Sequence, residues 1–115
     1  MNFEQELKAL VDSYASFSPV VEVEGGVTYV LFPKLYTPEG KGAEEAQDVL
    51  FSCNKIGGYN NKLFIERIVH RKPNVRWKDQ SHCILGRTWY SFSFQTTTGT
   101  LKERFLDHYK EVVGV

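Results

Sequence analysis

The segment RKPNVRWKDQSHCILGRTW, residues 71–89, gathers the residue types that could do covalent chemistry in this chain. Cys83, one of two cysteines, is a candidate nucleophile. Asn74 supplies an amide that could hold an oxyanion, and Lys72, Arg76, Lys78 and Arg87 are cations near it in sequence, offset in part by Asp79. A free thiol has a reference pKa of about 8.5, so a few per cent is thiolate at neutral pH and nearby cations raise that share. His82 is adjacent, but successive side chains on an extended segment point to opposite faces, so a Cys–His pair would need His70 or His108 brought in by the fold. The plain alternative is that Cys83 is a small apolar residue on a strand, the commoner fate of an unpaired cysteine.

Other chemistries find less support. His70, His82, Cys53 and Cys83 show neither a C-x-x-C nor an H-x-x-x-H spacing, so no metal site is expected. Asp48, Glu66, Asp79 and Asp107 are scattered and suggest no carboxylate pair. Lys62, Arg67, Arg71, Lys72, Arg76 and Lys78 fall within seventeen residues that include Trp77, a composition able to grip phosphates and stack a base. A solvated loop and strand edge explains the same run, since lysines also discourage sheet-to-sheet aggregation. IGGYNN, residues 56–61, lacks the Gly-Lys-Ser/Thr end of a phosphate-binding loop and reads as a turn.

The elements that must position these residues follow from periodicity. Phe3, Leu7, Leu10, Val11, Tyr14 and Phe17 form the stripe of an amphipathic helix, with Asn2 and Gln5 as its capping box and an end near Ser16, before Pro19. In VVEVEGGVTYVLFPKL, valines alternate with glutamates up to Gly25-Gly26, a two-residue hairpin signal. YTPEGKGAEEAQ, residues 36–47, is a loop; DVLFSC and KLFIERIV are strands; and HRKPNVRWKDQS is a basic loop in which Pro73 forbids a central strand position. CILGRTWYSFSFQ reads as a last strand, with Trp89, Ser91 and Ser93 on one face and Tyr90, Phe92 and Phe94 on the other. Thr100 and Glu103 cap a closing helix whose stripe is Leu101, Phe105, Tyr109 and Val112. The expectation is a single α+β domain over residues 1–115: a helix, four to five antiparallel strands and a helix, with the helices covering one face of the sheet.

With 42% hydrophobic residues the chain can build a core without staples, and fourteen basic residues against fourteen acidic ones argue against a whole-molecule nucleic-acid binder. No apolar run approaches the roughly 18 residues of a membrane span, and MNFEQELKAL has no apolar leader core. Together with the two lone cysteines, this predicts a soluble cytoplasmic protein with no membrane partner.

The order of features resembles the ubiquitin-conjugating (E2) fold. DVLFSCN, the turn IGGYNN, LFIERIV, the KPN of residues 72–74, Cys83 nine residues after Asn74 and then Trp89 follow the family's succession of strand, Tyr-Pro turn, strand, His-Pro-Asn motif, thioester cysteine and tryptophan. Asn60 stands in the place of the turn proline and Lys72 in that of the histidine. The leading helix and hairpin fit too, and GRTWYSFSF and the compact length look most like the bacterial E2-like proteins that accompany E1-like and ubiquitin-like partners. The resemblance implies that Cys83 accepts a ubiquitin-like C-terminus as a thioester and that Asn74 orients the loop or stabilises the oxyanion. Tyr59 and Pro73 would shape the surrounding turns, with Lys72, Arg76 and Trp89 at the binding surface. The implied partners are a ubiquitin-like protein and an E1-like activating enzyme, and no cofactor is required. Two other readings stay open: an inert E2-shaped domain that binds such partners, favoured by a buried Cys83, and a small binding module that uses the basic 62–78 segment.

Overall fold

At the amino end Asn2 Oδ1 accepts the Gln5 N–H at 2.9 Å and Gln5 Oε1 accepts the Asn2 N–H at 3.1 Å, closing the capping box that starts α1, Phe3–Ser13. These contacts come from a computed structural model that describes residues 2–37, 45–67 and 81–113. The helix stops short of the expected Ser16. A 3-10 turn, Ala15–Phe17, follows, and Ser18 sits in the left-handed region at φ 53° before Pro19, which disfavours helical backbone in the residue preceding it.

Gly25 and Gly26, at φ 59° and 79°, join β1, Val20–Glu24, to β2, Val27–Tyr36. Positive φ at both central residues is the twist a two-residue hairpin needs. The second strand outruns the expected VTYVLF by bulging at Pro33 and Lys34, where the register to β3, Gln47–Ser52, shifts. Two backbone hydrogen bonds of 2.9 Å between Ile56 and Tyr59 close the IGGY turn that leads to β4, Leu63–Ile65.

The expected single strand CILGRTWYSFSFQ is instead a hairpin. Leu85 and Gly86 take φ 55° and 72° and split it into β5, His82–Ile84, and β6, Arg87–Ser91. Among the described residues the antiparallel sheet therefore has six strands, ordered β1-β2-β3-β4-β6-β5, rather than four or five. A final helix, α2, Leu101–Val113, starts at Thr100, whose hydroxyl accepts the Glu103 N–H while Glu103 Oε1 accepts the Thr100 N–H. Glu6 of α1 accepts the Leu101 N–H at 3.0 Å and ties the two helix starts together. The class is α+β, and no helix among the described residues is long and apolar enough to cross a membrane.

The helices and one sheet face share a core centred on Phe105, which stacks on Phe32 with centroids 4.5 Å apart and meets Tyr14 and Phe51 edge-on. The opposite face has its own core of Tyr29, Leu50, Phe64, Ile84 and Trp89, bordered by Val27, Leu31, Ile56 and Leu85. The expected alternation along β6 holds, because Trp89 belongs to this second core and Phe92 to the first.

His108 of α2 is 1% exposed, between Phe51 and Phe94. Its Nδ1 donates to the Arg104 carbonyl at 2.7 Å, so the proton of the neutral ring sits on Nδ1, and among the described residues its Nε2 has no hydrogen-bond partner. Burial lowers its pKa below the usual histidine value; the Arg104 and Asn61 backbone and Asp107 offset part of that, and Lys62 adds to it.

Two outcomes follow from this core. Truncating Phe105 to alanine leaves a cavity among Tyr14, Phe32, Phe51 and Tyr109 and lowers unfolding stability by about 3–5 kcal/mol in urea titration. The depressed folded pKa of His108 means that the unfolded chain binds the extra proton as pH falls below about 6.5, so stability declines on acidification through that value toward the folded pKa. His108→Leu flattens that part of the profile, measured as the urea midpoint between pH 7 and pH 5; an unchanged slope refutes the assignment.

Candidate functional site

Cys83 is the middle residue of β5, the last strand of the sheet, and it is free and exposed. The hairpin that presents it is set by Ile84 pairing with Arg87, Cys83 with Thr88 and His82 with Trp89. In a two-residue hairpin the pair next to the turn exchanges hydrogen bonds and the following pair does not. Cys83 is in that following pair, so its N–H and C=O point away from β6, toward the side of the strand on which no described strand lies. Its side chain takes the face opposite to His82 and Ile84.

The face opposite Cys83 is fully engaged. His82 Nε2 lies 3.0 Å from Ser91 Oγ, and its ring meets Phe64 edge-on. Lys62 Nζ donates to the same Ser91 oxygen at 3.3 Å and sits 4.0 Å over the Tyr59 ring. Ser91 is completely buried and Lys62 is 5% exposed, so a buried hydroxyl joins an ammonium on the approach to β4 to an imidazole on β5. Trp89, also fully buried, donates its indole N–H to the Ile84 carbonyl at 3.1 Å across the hairpin, and Arg87 lies 4.5 Å over its ring. Among the described residues nothing places a base beside Cys83: His82 faces away, as the alternation predicts, and His108 is buried in α2, while His70 lies outside the described residues.

Arg87 is committed elsewhere as well. It reaches Asp48 at 3.0 Å and Glu66 at 3.6 Å, and Lys34 and Arg67 complete a cluster of three cations around two carboxylates. The cluster links the ends of β2, β3, β4 and β6. Asp48 and Glu66 look scattered in sequence, yet Val49 opposite Ile65 sets them side by side, and Glu66 Oε1 accepts the Asp48 N–H. Only the β3–β4 register reveals this pairing. Their ion pairs make the two carboxylates a clamp on the sheet, and no metal-holding group of His, Cys, Asp and Glu occurs among the described residues.

The remaining expected residues divide between placed and undescribed. Tyr59 closes the IGGY turn and points its hydroxyl at Ser93 Oγ, 3.4 Å away, while Asn60 binds Gln95 and Thr96, so this turn is stitched to the chain after β6. Lys72, Pro73, Asn74 and Arg76 lie outside the described residues, as does most of the basic 62–78 run. Of that run, Lys62 is buried and belongs to no exposed basic face, and Arg67 is paired with Glu66. The second cysteine contrasts with Cys83: Cys53 is 4% exposed, and burial pushes its thiol up to about 12.

Removing the shared hydroxyl tests whether it holds β5. Ser91→Ala takes one partner from a buried ammonium and one from His82, and the expected loss of stability is about 1–3 kcal/mol by chemical denaturation. Amide exchange in residues 82–84 should speed up more than in α2. Compared with known proteins, the chain matches no family model, no curated protein and no solved structure.

Proposed function

We propose that this protein is an E2-like carrier, in which Cys83 takes a ubiquitin-like acyl group from an E1-like partner and passes it to an amine. The observation that carries the reading is the setting of Cys83: a free, exposed thiol on the outermost described strand, with its own N–H turned away from β6 and the opposite face locked by Lys62, Ser91, His82 and Trp89. The order of sequence motifs from DVLFSCN through KPN to Cys83 and Trp89 supports the same assignment.

The chemistry asks little of the residues beside the thiol. The Cys83 thiolate attacks the carbonyl of the donor thioester, a new S–C bond forms, and the donor thiolate leaves through a tetrahedral oxyanion. An acceptor amine then attacks the Cys83 thioester, the amide bond forms, Cys83 leaves as thiolate, and the amine proton passes to solvent. Attacking and leaving sulfurs are alike, so no activating histidine is needed; what helps is a hydrogen-bond donor at the oxyanion. The outward Cys83 N–H is one such donor, and Asn74 is the second in the E2 pattern.

Intact-mass analysis of the protein mixed with an E1-like enzyme, ATP and a ubiquitin-like protein tests this directly. Wild type and Cys53→Ala form an adduct that a thiol reagent reverses, and Cys83→Ala forms none. An adduct that survives in Cys83→Ala refutes the assignment of the nucleophile. Absence of any adduct, with Cys83 resisting alkylation in the folded protein, leaves an E2-shaped binding domain.

A further inference from the structure

At the opposite end of the sheet from Cys83, β1 is exposed at every one of its five residues. Val21 and Val23 are 43% and 66% exposed, large values for apolar side chains in a strand. Among the described residues its only strand neighbour is β2. Glu24 accepts the Leu85 N–H at 2.7 Å, whereas no cation among the described residues answers Glu22.

The register shows which backbone groups are open. Val23 lies opposite Thr28, and the Thr28 N–H and C=O are spent on Asn54 and Cys53, on the side away from β1. Val23 and Thr28 are thus a pair that exchanges no hydrogen bonds, and the Val23 N–H and C=O face outward. The alternation repeats two residues back, so Val21 does the same opposite Val30. Of the three exposed valines of β1, Val21 and Val23 are the two whose backbone groups face away from β2, while Val20, 42% exposed, projects from the other face with Glu22.

We propose that β1 is a docking edge for an extended segment of another protein in which apolar residues alternate with lysine or arginine. Such a segment adds as a further strand through the outward N–H and C=O groups of Val21 and Val23, lays its apolar residues beside those two side chains, and sets a cation opposite Glu22. A second copy of this chain is disfavoured by charge. A two-fold axis perpendicular to the sheet that pairs all five residues of β1 with those of a copy sets Glu22 against Glu22. Like charges directly opposed weaken such a pair, so the glutamates discourage self-pairing while they select a basic partner.

The test is fluorescence polarisation of the full chain with a labelled six-residue peptide alternating valine and lysine, beside its valine–glutamate counterpart. The lysine peptide binds and the glutamate peptide does not, with binding weakening as salt rises. Val23→Pro removes one outward donor without breaking a bond to β2, so it keeps the circular dichroism spectrum and loses about tenfold or more in affinity. Glu22→Lys exchanges the preference between the two peptides. Equal binding of both peptides, or binding indifferent to Val23→Pro in a folded variant, overturns the proposal. So does a dimer in sedimentation that Val23→Pro abolishes, which would assign the edge to a second copy.

Discussion

Two helices can cover only one face of a six-stranded sheet, and this chain builds apolar side chains on both. Tyr29, Leu50, Phe64 and Trp89 project from the face that α1 and α2 do not reach, and left open they would form a contiguous apolar patch of the kind soluble domains avoid. The solution is curvature. Ile84 and Leu85 of the last hairpin share this core with Val27, Tyr29 and Leu31, and the Leu85 N–H reaches Glu24, although β5 stands four places from β2 in the strand order. At about 4.8 Å per strand a flat sheet would hold them roughly 19 Å apart, so the sheet must curl until the β5–β6 turn reaches the β1–β2 hairpin. The Leu85 N–H on Glu24 fastens that closure. Everything distinctive about Cys83 depends on it, because the strand that bears the thiol is the one that swings across.

Much of this was legible from local patterns. The capping boxes at Asn2 and Thr100, the Gly25-Gly26 turn and the alternation through Trp89 and Phe92 are all short-range signals, and each is realised in the structure. What escaped notice depends on pairing over distance. CILGRTW reads as one apolar run because leucine rarely adopts the left-handed backbone that Leu85 takes at φ 55°, so only Gly86 hinted at a turn. The opposition of Asp48 and Glu66 is a property of register, invisible until β3 and β4 are aligned. Lys62 looked like part of a basic run and proves to be buried, because a hydroxyl from β6 and a tyrosine ring await it.

The two cysteines show how position decides chemistry. Cys53 follows β3 directly, under the helices, where desolvation of the thiolate makes it inert. Cys83 sits at a strand edge, and its neighbours His82 and Ile84 anchor the strand from the other side. The exposed Cys83 side chain contributes little to packing, because the strand is held by its even-numbered residues and by Trp89.

The contact between Leu85 and Glu24 joins residues 61 apart in the chain. Loops of that span close late and at an entropic cost, whereas the β1–β2 hairpin draws on neighbouring residues and can form early. The β5–β6 hairpin is itself local, whereas its fastening to Glu24 and the Glu6–Leu101 contact between the helix starts, 95 residues apart, both require closure of long loops. The surroundings of the exposed Cys83 thiol are therefore complete only when β1, far away in the chain, has reached the β5–β6 turn.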